Sequence, residues 1–100
     1  MNFLYGIYNQ GNEILVAVCD EDVVGRVFRC SDKNIKIDVK NSFYGKNKCD
    51  EKEVLELMKN ATILNIVGKY IVTLAIKEGI ISKECVIEIG ETLHAQKAKL

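Results

Sequence analysis

Ala61-Thr62-Ile63-Leu64-Asn65-Ile66-Val67-Gly68-Lys69-Tyr70-Ile71-Val72-Thr73-Leu74-Ala75-Ile76-Lys77-Glu78-Gly79 is the stretch whose reading decides the fold. At about 100° per residue, Ile63, Leu64, Val67, Ile71, Leu74 and Ala75 share one arc, with Thr62, Lys69, Thr73 and Lys77 opposite. The pattern predicts a single helix, capped by Thr62, running to Glu78 and closed by Gly79. Ala61, Gly68 and Ala75 recur at a seven-residue spacing along one margin of that arc. Small side chains there admit close approach of another backbone. A mid-helix glycine costs about 1 kcal/mol relative to alanine, so close packing is the expected reason for Gly68. Gly68→Leu is then expected to damage folding more than Gly68→Ala. Asn65 projects beside the seam. It either ties the helix to a neighbouring segment or holds a ligand or a partner's backbone.

The segments before this stretch follow a different period. Phe3 to Asn9 is aromatic and β-branched, Asn9-Gln10-Gly11-Asn12 is a turn cluster, and Glu13 to Cys19 is a nearly continuous apolar run. These predict a hairpin whose second strand is central and buried on both faces. Asp20 to Gly25 reads as a short helical turn with Asp20 as its cap, and Arg26 to Cys30 as a short strand. Ser31 to Asn34 is a turn. Ile35, Ile37 and Val39 alternate with Lys36 and Asp38, as in a half-buried strand. Lys40 to Lys48 reads as a loop. Asp50 with Glu53 three residues on predicts a capping box for a helix with Val54, Leu55, Leu57 and Met58 on its apolar face. After the long helix, Val86 to Ile89 and Leu93 to Lys99 form a terminal hairpin around Gly90-Glu91-Thr92. The expected fold is α+β: a mainly antiparallel sheet covered by two helices, with strands first, then the helical pair, then a C-terminal β-hairpin.

Composition narrows the function classes. One hundred residues with 48% apolar content make a single domain, residues 1–100, able to bury a core. Lys+Arg and Asp+Glu are 14 each, which argues against nucleic-acid binding driven by overall charge. The N-terminal residues lack the basic region and cleavage site of a signal peptide. The apolar run from Ile14 to Cys19 is too short to span a bilayer. A cytoplasmic protein is therefore expected, and Cys19, Cys30, Cys49 and Cys85, widely spaced and without a CxxC pair, are expected to form no disulfides in a reducing cytosol. One histidine and four cysteines at these spacings match no common zinc arrangement. No metal and no cofactor is expected, and no phosphate-binding glycine loop is present.

The candidate site residues fall in three places. Ser42-Phe43-Tyr44-Gly45 puts two aromatics in a loop with Lys46 and Lys48, a combination that can stack and hold single-stranded RNA. Asn65 offers a carboxamide. His94 is the lone histidine and the natural general acid or base. Gln96, two residues on, shares its face in a strand. Ser42, Tyr44, Lys46, Lys48, Asn65, His94 and Gln96 are therefore the candidate binding residues. No nucleophile elbow or protease signature accompanies His94.

In order along the chain, Cys19-Asp20-Glu21 with Gly25, Ser42-Phe43-Tyr44-Gly45, Ala61-Thr62-Ile63-Leu64-Asn65-Ile66-Val67-Gly68, and Gly90 with His94-Ala95-Gln96 resemble a small archaeal family, domain of unknown function 424. The resemblance spans essentially the whole chain. One departure is Leu93, where the pattern would carry proline, which implies a looser turn into the last strand. The family name supplies no activity, but the resemblance implies a role near translation. The expected function is non-enzymatic binding of a macromolecule, either RNA or a ribosome-associated protein. Two alternatives stay open: a small enzyme using His94, with Asn65 or Tyr44 orienting substrate, and a protein–protein interaction module.

Overall fold

The computed structural model describes residues 1–98. Strands β1 (Asn2–Gln10) and β2 (Glu13–Asp20) form the expected hairpin, with Phe3 opposite Asp20 and Gln10 opposite Glu13. Gly11 takes a positive φ of 60° in the turn. A 3-10 turn over Glu21–Val23 leads to β3 (Val27–Cys30), which pairs with β4 (Ile35–Asp38) in a separate two-stranded sheet. Helix α1 (Asn41–Tyr44) and strand β5 (Asn47–Asp50) follow, and β5 adds to the outer edge of β1. The stretch expected as a loop, Lys40 to Lys48, therefore holds two short elements. Helix α2 (Glu51–Asn60) opens with the capping box the sequence predicts: the Asp50 carboxylate accepts from the Glu53 N–H at 2.9 Å, and Glu53 accepts from the Asp50 N–H at 3.2 Å.

The long helix is corrected. Ile63–Val67 is a strand, β6, and only Lys69–Lys77 is helical, as α3. The run Ile63-Leu64-Asn65-Ile66-Val67 is short and rich in β-branched side chains, and a short apolar run cannot be assigned by periodicity alone. Thr62 caps no helix. Its N–H donates to the Ile14 carbonyl at 2.9 Å and its Oγ accepts from the Ile14 N–H at 2.7 Å, tying the start of β6 to β2. Gly68 is the break, at φ 129° and ψ 147°, a conformation that essentially only glycine adopts. A Cβ there would also collide with the Asp20 carboxylate. So Gly68 sits in no mid-helix seam, and alanine as well as leucine would meet the strained backbone and the Asp20 carboxylate there.

The main sheet has the order β5-β1-β2-β6-β8-β7, with β7 (Val86–Ile89) and β8 (Thr92–Ala98) as the C-terminal hairpin. Lys99, assigned by the sequence reading to the last strand, lies outside the described residues. Every described pairing is antiparallel except β2 with β6. The parallel pair follows from topology, because α2 returns the chain to the starting end of β2 before β6 begins. The sheet is thus mainly antiparallel, with helices against it and a terminal hairpin.

Alternation along the strands gives the sheet two distinct faces. Phe3, Val16, Val18, Leu64, Ile66 and Ala95 pack against Val54 and Met58 of α2 and Ile71, Val72 and Ala75 of α3. Ala17, Cys19, Val67 and Ile89 point the other way and meet Phe28, Val39 and Tyr44, with Ile35 and Ile37 partly buried beside them. The β3–β4 hairpin and α1 therefore make a third layer, and the core is double.

Asp20 joins the layers. It is 4% exposed, at the end of β2, and its carboxylate accepts from the backbone N–H groups of Tyr70 and Ile71, both at 2.9 Å. It thus caps α3 from a distance of fifty residues in sequence rather than bonding into the 3-10 turn it precedes, which it leaves without a side-chain cap. Burial raises its pKa, and the two backbone donors oppose that shift.

Candidate functional site

On the hairpin-covered face, residues of β6 and β8 that miss the helix layer line up against β4, β7 and α1. They enclose a cleft of about 500 Å³. Asn65 and Gln96 are register partners across β6 and β8. They are on the same side of the sheet because Leu64, Ile66 and Ala95 occupy the other. Directly opposed residues on adjacent antiparallel strands have Cβ atoms about 4.5–5.5 Å apart, so the two carboxamides stand side by side. Ile35 and Ile37 of β4 and Ile87 and Ile89 of β7 supply aliphatic walls, Lys36 contributes an ammonium, and Cys85 an exposed thiol. Among the described residues lining the cleft there is no carboxylate.

Each carboxamide is held by its own partner. Tyr44, 4% exposed, donates its hydroxyl to Asn65 Oδ1 at 2.6 Å. Burial pushes the Tyr44 pKa up, so the phenol stays a donor, and Asn65 is left with both Nδ2–H groups free to face the cleft. His94 is 8% exposed, and its Nδ1 lies 3.0 Å from the Ile66 carbonyl. A carbonyl only accepts, so Nδ1 carries the proton. Burial lowers the His94 pKa, against the opposing pull of the Ile66 carbonyl, and keeps the ring neutral near pH 7. Nε2 is therefore a bare acceptor, and it takes a hydrogen bond from the Gln96 amide nitrogen at 3.2 Å. Gln96 keeps Oε1 and one N–H for the cleft. The result is a fixed pattern of donors beside an acceptor.

The structure brings four of the seven sequence-predicted residues together: Tyr44, Asn65, His94 and Gln96. Ser42, Lys46 and Lys48 lie elsewhere. The Ser42 and Phe43 carbonyls accept from the Tyr8 hydroxyl, and Phe43 stacks on Tyr8 with ring centroids 5.1 Å apart. The Lys46 ammonium sits 5.0 Å from the Tyr8 ring centre, and Lys48 pairs with Glu21 at 3.1 Å. The aromatics of this segment are thus engaged by the protein itself. The cleft walls escaped the sequence reading. Ile35/Ile37 and Ile87/Ile89 each show the spacing of a one-sided strand, but only the tertiary fold shows that these pairs face each other.

All four cysteines are free: Cys19 and Cys49 are buried, Cys30 is half-buried and Cys85 exposed. Burial pushes the Cys19 thiol up to about 12 and the Cys49 thiol up to about 11, which makes both poor nucleophiles. Among the described residues no three His, Cys, Asp or Glu side chains are placed to hold a metal ion. No described helix is long and apolar enough to cross a membrane. His94 lacks a free ring nitrogen, since one bonds the Ile66 carbonyl and the other Gln96.

Comparison with known proteins adds the relatives. The family model described as "Protein of unknown function (DUF424)" matches residues 8–100. A crystal structure of an uncharacterized conserved protein from Methanopyrus kandleri is similar over 100% of this chain and 93% of that one, with 20% sequence identity and a TM-score of 0.77. At that identity the likeness speaks to the fold alone. No curated protein matches.

Proposed function

Because the chain belongs to the DUF424 family, whose name carries no activity, its function has to be argued from the cleft, and we propose that it is a binding module that holds an unpaired segment of RNA there without chemical turnover. The observation that carries this reading is the Asn65–Gln96 pair, two adjacent carboxamides whose orientations are fixed by Tyr44 and His94. Carboxamides recognise edges that offer a donor beside an acceptor, and RNA is read by sequence chiefly where its bases are unpaired. The aliphatic walls suit the faces of a planar ring, and Lys36 suits a phosphate. Net charge is zero, so affinity rests on this local arrangement rather than on long-range attraction.

A second reading has one observation in its favour. The exposed thiol of Cys85 lines the same cleft as His94, the type of pair a small enzyme would use. Against it, His94 Nε2 is engaged by Gln96, and the Cys85 sulfur lies 3.5 Å from the Ser82 hydroxyl.

Binding of mixed-sequence single-stranded RNA at low and moderate salt tests the proposal. Gln96→Ala is expected to weaken binding about tenfold, or about 1.4 kcal/mol, and Lys36→Ala to flatten the salt dependence by roughly one phosphate's worth. Cys85→Ser should leave affinity unchanged. Absence of binding at low salt discards the RNA reading and makes a protein partner the better search.

A further inference from the structure

The cleft holds more information than an RNA-binding surface needs, because the polarity of both carboxamides is set. We propose that the Asn65–Gln96 pair reads the hydrogen-bonding edge of one flipped-out nucleobase, with Tyr44 and His94 as positioning residues that fix what each amide presents. This rests on the RNA reading above and names the group that enters the cleft. The Tyr44 hydroxyl holds Asn65 Oδ1 toward α1, so Asn65 turns its Nδ2–H groups to the cleft. His94 Nε2 occupies one Gln96 N–H, so Gln96 offers its Oε1 as the acceptor, beside its second N–H. The complement is a planar edge with an acceptor toward Asn65 and a donor toward Gln96. Nucleobases present such an edge, and a sugar phosphate does not. The aliphatic side chains Ile35, Ile37, Ile87 and Ile89 line the space beside that pair.

The same geometry makes Gln96 responsive to the state of His94. A protonated ring would point an Nε2–H at the Gln96 amide nitrogen, donor against donor. The carboxamide would then turn over, give Oε1 to His94, and present only N–H groups to the cleft beside those of Asn65. The acceptor for the base's donor would be lost. The other titratable side chains lining the cleft are Tyr44 on α1, Lys36 on β4 and Cys85 before β7. Tyr44 stays neutral across this range because burial raises its pKa.

The test uses the full chain with the four nucleoside 5′-monophosphates at millimolar concentration and ribose 5-phosphate as the probe without a base. Two signals report occupancy: the side-chain amide resonances of Asn65 and Gln96, and the rate of Cys85 alkylation mapped by mass spectrometry. At least one monophosphate should move both amide pairs and slow Cys85 alkylation severalfold, while ribose 5-phosphate does neither. Gln96→Glu, at an exposed strand position, should weaken that binding at least tenfold without disturbing the folded spectrum, as should Asn65→Asp. Acidification through the His94 titration should weaken it too, and His94→Gln should reduce that pH dependence to the part set by the probe's own phosphate, which titrates at about pH 6. Unmoved amides with every monophosphate overturn the proposal. So does an equal response to ribose 5-phosphate, or full affinity in Gln96→Glu. The two readings fail separately: RNA that moves both amides while every monophosphate leaves them unmoved defeats only the base reading, whereas monophosphates bound in the cleft without any RNA affinity defeat only the RNA reading.

Discussion

The helix-covered and hairpin-covered faces of the sheet are made from alternate residues of the same strands, yet they are built to different ends. On β6, Leu64 and Ile66 go to the helices, whereas Asn65 and Val67 go to the hairpin. On β8, Ala95 goes to the helices, while His94 and Gln96 line the cleft. The helix face is closed with aliphatic side chains at or near zero exposure. The other face places a phenol, an imidazole and two carboxamides together, each tied to a partner. Such groups contribute little net stability when paired and are costly when left unpaired. A fold needing only stability would fill that space with apolar side chains. The polar face is therefore where the proposed binding cleft is placed, and the apolar face is what holds it in place.

Substitutions should separate the two. Ile71→Ala, on a fully buried side chain of α3, should destabilise the protein by about 2–5 kcal/mol, read by chemical unfolding, while any molecules that stay folded retain the cleft. Gly68→Ala should follow at about 1–3 kcal/mol from the forbidden backbone conformation alone, with the Asp20 collision added. A loss below about 0.5 kcal/mol would contradict the break assigned to Gly68. Asp20→Ala removes the acceptor for two helix N–H groups and should cost about 2 kcal/mol. Asp20→Asn should recover part of it by keeping one acceptor. On the polar face the effects on stability shrink. Tyr44→Phe should cost about 1 kcal/mol but release Asn65 and weaken ligand binding more than stability. A cleft variant as destabilising as Ile71→Ala would erase the distinction between the faces.

The pH dependence is a smaller effect, and its sign is fixed. The His94 pKa lies below its ordinary value of 6.5 in the folded protein, so the unfolded chain binds this proton more readily. The contribution of neutral His94 is fully present above pH 6.5 and is lost as pH falls through the folded pKa. Unfolding midpoints at pH 7 and pH 5 should show this loss in the native protein and less of it in His94→Gln.

Much of the fold was legible because its signals are local. The alternation of Ile35, Ile37 and Val39, the turn at Gly11 and the Asp50–Glu53 box each need only a few neighbouring residues. Ile63 to Gly79 misled because its apolar positions satisfy a helical period across a strand, a glycine and a shorter helix. The signal that could have divided it was the β-branched cluster up to Gly68. What bars any side chain at Gly68 besides its own backbone angle is the Asp20 carboxylate, remote in sequence. The candidate site is legible only as residue types, in that Asn65, His94 and Gln96 stand out for their chemistry. Their meeting is not, since it depends on the β6–β8 register. The sequence offers Tyr44 as a loop ring for stacking, whereas the fold buries the ring and engages its hydroxyl with Asn65. The one strongly exposed tyrosine of α3, Tyr70, is 56% exposed and drew no functional reading from the sequence.

One experiment pits the two faces against each other on the same sample. Mixed-sequence single-stranded RNA is titrated into isotopically labelled protein while all backbone and side-chain amides are followed. The side-chain amides of Asn65 and Gln96 and the backbone of β4 and β7 should shift first and saturate together, with α2 and α3 unmoved. Shifts confined to the helix layer, or to the exposed lysines of the Lys40 to Lys48 segment with both carboxamides silent, would contradict the assignment of function to the polar face.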